Sequence, residues 1–126
     1  MNTKKYIGTK IIEAAPMSAN DAEECGFKTG GKVGDGYWVR YEDGYESWSP
    51  KDVFEKAYKI ADTPLDRLYI EYNELMDKYN KLVLFLGRED AESIAGEMQV
   101  GLMDLQKIQM HDYLLTLRTR IEQMKK

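Results

Sequence analysis

The sequence predicts an α+β protein: a small N-terminal antiparallel β-sheet with a short helix, followed by a long antiparallel α-helical hairpin that oligomerises. Three observations predict it. Aromatic runs flank Asp43-Gly44, a local hairpin signal. Apolar and aromatic residues recur at alternating steps of four and three from Leu68 to Leu86, which is a helical seam. A seven-residue repeat then runs from Met103 to Met124, so a second helix returns along the first. Residues 1–62 are expected to form the β-rich unit and 63–126 the hairpin.

The elements follow in order. KYIGTKIIEA, residues 5–14, is rich in β-branched side chains and lacks a helix cap, which predicts a first strand. From Pro16 to Gly36 the chain reads as loop, with room for a short helical turn in MSANDAEE before the Gly-rich KTGGKVGDG. GYWVRY and YESW then pair across Asp43-Gly44, both central residues of that turn being expected at positive φ. Alternation sets Tyr37, Val39 and Tyr41 on one face and Trp38 and Arg40 on the other, one aromatic face being expected to pack on the 50–58 helix or on the long helices. Ser49 is expected to cap a helix over about residues 50–58, with Pro50 at its first position.

Thr63-Pro64-Leu65-Asp66 repeats that start signal and opens helix one, whose seam is Leu68, Tyr72, Leu75, Tyr79, Leu82 and Leu86 and whose stop is Gly87. LGREDAESIAG reads as a linker or frayed turn, and helix two runs from about Glu97 to Met124. Along it Met103, Met110, Leu117 and Met124 recur every seven residues, with Gln106, Tyr113 and Arg120 in the complementary seam position. Leu102, Leu105, Ile108 and Leu115 form a second apolar row. A helix apolar on more than one side needs partners beyond its hairpin mate: the N-terminal sheet, another copy of the chain, or both. A homo-oligomer is therefore expected.

Composition excludes several functions. The chain has 126 residues, a formal charge of −4 and 43% hydrophobic residues, which fits one compact unit or two small subdomains. The lone Cys25 cannot close an internal disulfide, so a reducing cytosol is the natural compartment. MNTKKYIG has no apolar signal region, and the longest apolar run, Leu82 to Leu86, falls far short of the ~18 residues of a membrane span, so no membrane partner is expected. Net acidity argues against nucleic acid, and only Arg40 and Lys51 lie near Tyr37, Trp38, Tyr45 and Trp48.

Catalysis is poorly provided for. One His111 and one Cys25 cannot build a metal cluster, and no acidic repeat has calcium-loop spacing, so neither metal nor cofactor is expected. There is no G-x-S-x-G elbow, and GGKVGDG lacks the Lys and hydroxyl of a phosphate loop. The arginines carry more information. Four of the five lie in the helical half, with Arg67 in the first turn of helix one and Arg120 near the end of helix two. An antiparallel hairpin brings those two to one end, where converging guanidinium groups make a pyrophosphate clamp. The plain alternative is a pair of surface arginines bridged to Asp66, Glu71 or Glu122, at about 0–1 kcal/mol each.

The run Met103-x2-Gln106-x3-Met110-x2-Tyr113-x3-Leu117-x2-Arg120-Ile121, together with Arg67 in an R-L-x2-E-x3-L first helix, resembles the phage-encoded sponges that sequester nucleotide signals of bacterial immunity. Over residues 63–124 it is most similar to the type-one Thoeris anti-defence family, and the helical part also looks like the anti-CBASS cyclic-nucleotide sponges. The N-terminal wording is similar to a small module at the start of several phage proteins. The resemblance implies a non-enzymatic protein in the host cytoplasm that binds glycocyclic ADP-ribose and holds it from its effector. It further implies a homodimer or hexamer, in some relatives with separate pockets for cyclic oligonucleotides between subunits. Arg67 and Arg120 fall on the family's phosphate-flanking arginines, and the full expected ligand-binding set is Arg67, Arg120, Arg118, Tyr113, Gln106, Phe85, Arg88 and Ile94. Family members close the pocket with an aromatic and an amide from the loop between helices. Here that loop, Gly87 to Gly96, has neither, so Ile94 or Glu92 stands in the ring's place, with Phe85 and Arg88 nearby. The alternative is a phage structural or interaction protein whose hairpin is only an oligomerisation device.

Overall fold

The computed structural model describes residues 1–126, which fall into two compact units, Met1–Lys59 and Ile60–Lys126. The first holds β1 (Glu13–Pro16), α1 (Ala19–Glu24), β2 (Gly36–Arg40), β3 (Glu46–Pro50) and α2 (Lys51–Ala57). The second holds α3 (Pro64–Leu86), α4 (Ala91–Ala95) and α5 (Glu97–Met124). The protein is thus α+β, with a small antiparallel sheet followed by two long packed helices.

The sheet has the order β1-β2-β3 and corrects three local expectations. Glu13 already pairs with Arg40, the last residue of β2, so residues 5–12 run past the end of their partner and find no ladder. Of the strand expected over 5–14 only Glu13 and Ala14 pair, and β1 extends beyond it to Pro16. At the hairpin, Arg40 faces Glu46 and the Tyr41 N–H donates to the Tyr45 carbonyl at 2.8 Å, leaving a three-residue loop. Only Gly44 takes a positive φ, 89°; Asp43 does not. The Asp43 Oδ1 accepts from the Tyr45 N–H at 2.9 Å, which fixes the wider turn without forcing aspartate into the left-handed region. Ser49 lies in β3 opposite Tyr37 and caps nothing: its hydroxyl donates to the Pro50 carbonyl, and α2 starts without a side-chain cap.

Each sheet face takes one short helix. Trp48 is buried against Ala19 and Ala22 of α1, with Met17 and Phe27 around it, and its indole N–H donates to the Met17 carbonyl at 2.7 Å. Gly36 is required beneath it, because a Cβ there would come within 2.4 Å of the indole. On the other face Tyr37 stacks on Phe54 of α2 at 4.1 Å between centroids, and Phe54 meets Tyr58 at 5.1 Å. The Tyr37 hydroxyl donates to Glu55 at 2.9 Å, which holds the phenol above its usual pKa. Of the two partners open on the sequence, the helix that follows is the one that covers Tyr37.

In the second unit the start signal works as read. The Thr63 hydroxyl accepts from the Asp66 N–H at 3.0 Å, the Asp66 carboxylate accepts from the Thr63 N–H at 3.1 Å, and Pro64 opens the helix. The seam read on α3 faces α5: Leu68 is buried with Leu117 and Ile121, and Leu65, Tyr72 and Leu75 pack against them. The expected linker instead folds a one-turn helix, α4, with Ala91 buried.

The seam of α5 differs from expectation. Its buried residues are Met110, Leu114, Leu117 and Ile121, so Leu114 and Ile121 complete the seam that Met110 and Leu117 begin. Gln106, Tyr113 and Arg120 stand one position before that line and are exposed. Steps of three and four both continue a seam, and side-chain chemistry decides between them. Burying a Leu or Ile gains about 1.5–3 kcal/mol, whereas an unpaired buried guanidinium is strongly disfavoured. The second row points outward, with Leu102, Leu105, Ile108 and Leu115 between 51% and 60% exposed.

Leu117 is fully buried, so Leu117→Ala is expected to destabilise the fold by about 2–5 kcal/mol. Met124→Ala, at the half-exposed end of the repeat, should change it by less than ~1 kcal/mol. Urea unfolding of both variants checks the assigned seam.

Candidate ligand-binding site

The antiparallel register brings the first turns of α3 against the last turns of α5: Leu68 meets Leu117 and Ile121, and the Tyr113 hydroxyl donates to Glu71. Arg67 immediately precedes Leu68, and Arg120 immediately precedes Ile121. Both arginines therefore sit at the free end of the hairpin, beside its core, and both are exposed.

Their partners set them apart. Arg40 pairs with Glu13 at 2.6 Å, Arg88 with Asp90 at 2.8 Å, and Arg118 with Glu122 at 3.4 Å. Arg67 and Arg120 pair with no carboxylate. Arg67 Nη1 donates instead to the Ala61 carbonyl at 3.2 Å, in the turn before α3. The three carboxylates expected as bridges are all engaged elsewhere: Asp66 in the capping box, Glu71 by Tyr113, and Glu122 by Arg118. The plain surface-bridge alternative is thus not what this end of the hairpin forms. The free end holds two guanidinium groups with no carboxylate bound to either, which suits an anion; the dipoles of the α3 start and the α5 end meet there with opposite signs and offset one another.

The remaining expected residues are distributed differently. Arg118 lies about 200° around α5 from Arg120 at 3.6 residues per turn, so the two do not share a face. Gln106 is fourteen residues back along α5, about 21 Å at 1.5 Å per residue. Phe85 is half-buried near the end of α3, about 27 Å along the axis from Arg67. Arg88 binds Asp90 through two hydrogen bonds of 2.8 and 2.9 Å, which draw the Asp90 carboxyl below its usual pKa and raise that of Arg88. Ile94, on α4, is 57% exposed. One hairpin therefore gathers Arg67, Arg120 and Tyr113 near its free end and leaves Phe85, Arg88 and Ile94 at the other.

Sequence reasoning cast Glu71 only as a bridge to an arginine, and its bond to Tyr113 becomes visible only with the helices in register. It also did not identify a cleft of about 460 Å³ in the first unit, between Thr9–Ile12 and the 41–45 loop. There the Lys10 ammonium lies 5.0 Å over the Tyr41 ring, but Glu42 and Asp43 also line it. No group of three or more His, Cys, Asp or Glu side chains is arranged to hold a metal. No helix is long and apolar enough to cross a membrane.

A family model described as Sequestin covers residues 62–123, from just before the α3 cap to the last turn of α5. No curated protein and no solved structure matches the chain.

Proposed function

Because the helical half of the chain, residues 62–123, belongs to the Sequestin family of Thoeris anti-defence sponges, we propose that this protein captures glycocyclic ADP-ribose and holds it unaltered. The setting is the cytoplasm of a phage-infected host, where removing the signal from its effector blocks Thoeris immunity. CBASS cyclic oligonucleotides are the second ligand class this reading admits. The observation that carries it is the pairing pattern of the arginines: among five, the two without a carboxylate are Arg67 and Arg120, at one end of one hairpin. Guanidinium forks bind phosphate bidentately, and a diphosphate offers two such anchors.

Sequestration needs affinity and slow release, and no proton transfer. Charge-assisted hydrogen bonds at about 1.5–3 kcal/mol each, with base stacking of similar size, reach nanomolar affinity in a preformed pocket. Tyr113, bonded to Glu71 one turn from Arg67, and Tyr72, packed on Leu68, Leu117 and Ile121, are rings near the arginine pair. Phe85, Arg88 and Ile94 are too far along the hairpin to join from the same chain. They join if the loop end of a second copy lies over the arginine end of the first. The outward row of Leu102, Leu105, Ile108 and Leu115 offers that copy an apolar surface, which supports a homodimer or hexamer.

The competing reading, a phage structural protein with an oligomerising hairpin, draws on the same outward row. The polar flank of Gln106, Tyr113 and Arg120 does not decide between the two, since exposed side chains need no ligand. What supports the sponge is the family match over residues 62–123, with the unpaired arginines as the place to test it.

Arg67→Ala and Arg120→Ala are each expected to weaken glycocyclic ADP-ribose capture about ten- to hundredfold while keeping the helical circular-dichroism spectrum. Unchanged affinity in both would sink the site assignment. Ile108→Glu combined with Leu105→Glu should reduce the particle mass to that of one chain in light scattering. A wild-type protein already monomeric at tens of micromolar would remove the oligomer from the account.

A further inference from the structure

Tyr113 and Glu71 meet across the helix pair, the Tyr113 hydroxyl donating to the Glu71 carboxylate. Glu71 also follows Arg67 by four residues on α3, the spacing at which a carboxylate and a guanidinium on one helix face each other. Yet that pair is not formed: Arg67 Nη1 donates to the Ala61 carbonyl at 3.2 Å, and Glu71 turns to the opposite helix. We propose that Tyr113 is a positioning residue that holds Glu71 off Arg67, so that the guanidinium stays open to an anion. The proposal rests on reading Arg67 as a phosphate ligand.

A carboxylate on Arg67 competes with phosphate for the same planar N–H groups. Once displaced, it remains one turn away and repels the phosphate that replaced it. The i,i+4 spacing makes Glu71 the nearest such competitor, and it cannot be avoided by rotating Arg67 alone, because both stems rise from the same helix face. The device that removes it therefore comes from the other helix. Tyr113 lies on the exposed flank of α5, beside the buried Leu114, so its backbone position is fixed by the core while its hydroxyl reaches α3. The same arrangement recurs around the site: Asp66 is taken by the Thr63 N–H and Glu122 by Arg118. Of the three, only the Tyr113–Glu71 contact crosses between helices. It therefore forms only when the hairpin is closed in this register.

The test is a cycle of Tyr113→Phe, Glu71→Gln and the double variant, with glycocyclic ADP-ribose as the probe. Tyr113→Phe keeps the ring and frees Glu71, so capture should weaken two- to tenfold, an exposed i,i+4 pair by itself accounting for about twofold. Adding Glu71→Gln should restore the wild-type affinity. A loss in Tyr113→Phe that the second substitution does not restore would mean that the hydroxyl touches the ligand itself, and no loss at all would mean that Glu71 is no competitor; either overturns the proposal. The Arg67 Nε–H signal of the ligand-free protein, followed by NMR, decides it independently of any nucleotide. It should shift and exchange more slowly in Tyr113→Phe and return in the double variant, and an unmoved signal contradicts the proposal. A wild type that captures no nucleotide would count against the sponge reading alone, since the NMR arm still reports whether Tyr113 holds Glu71.

Discussion

The packing of α3 on α5 around Leu68, Leu117 and Ile121 decides what the rest of the helical unit presents. Leu117 is wholly buried between the two helices, and its depth sets the register that every neighbouring side chain inherits. A slip of one residue along α5 would rotate that helix by about 100° and turn its polar flank into the seam. Burial of apolar surface opposes the slip, because Leu114 and Ile121 would be lost to solvent while Tyr113 and Arg120 came in. The arginine end of the hairpin thus depends on a hydrophobic contact that contains no arginine.

With that register fixed, electrostatics at the free end is a matter of which carboxylates are already engaged. Exposed ion pairs are individually weak, so none of these bonds does much for stability. Their consequence is distributive. The capping box, the Arg118–Glu122 pair and the Tyr113–Glu71 contact each engage one of the acids within reach, and two guanidinium groups are left over in an otherwise acidic chain. At the loop end the opposite holds: Arg88 is fully engaged by Asp90. The two ends of the hairpin are therefore chemically distinct.

What was legible in the sequence was local or periodic. The capping box at Thr63 and Asp66, the α3 seam and the place, though not the type, of the turn at Asp43-Gly44 depend on residues within a few positions of one another. Features set by a distant partner were not legible. The length of β1 depends on where β2 ends, and nothing in KYIGTKIIEA states that. The choice between Tyr113 and Leu114 as seam residue is open on spacing alone, since three and four residues both approximate a turn. The convergence of Arg67 and Arg120 on one end followed from antiparallel topology and needed no register. The engagement of Glu71 by Tyr113 needed the register itself. Alternation assigns Tyr37 and Trp38 to opposite faces of β2, and Phe54 then covers Tyr37; that Trp48 shares the face of Trp38, under Ala22, needed the strand register.

The central claim is that two unpaired arginines at the free end of a closed hairpin make this chain a trap for a phosphate-bearing signal, which it holds without altering. Mass spectrometry of small molecules freed by heat from the protein, after incubation with lysate of cells expressing an active Thoeris TIR enzyme, tests this most directly. The account predicts one enriched nucleotide, unaltered and with the mass of glycocyclic ADP-ribose. A nucleotide released in cleaved form, or no enrichment over a denatured control, would contradict it.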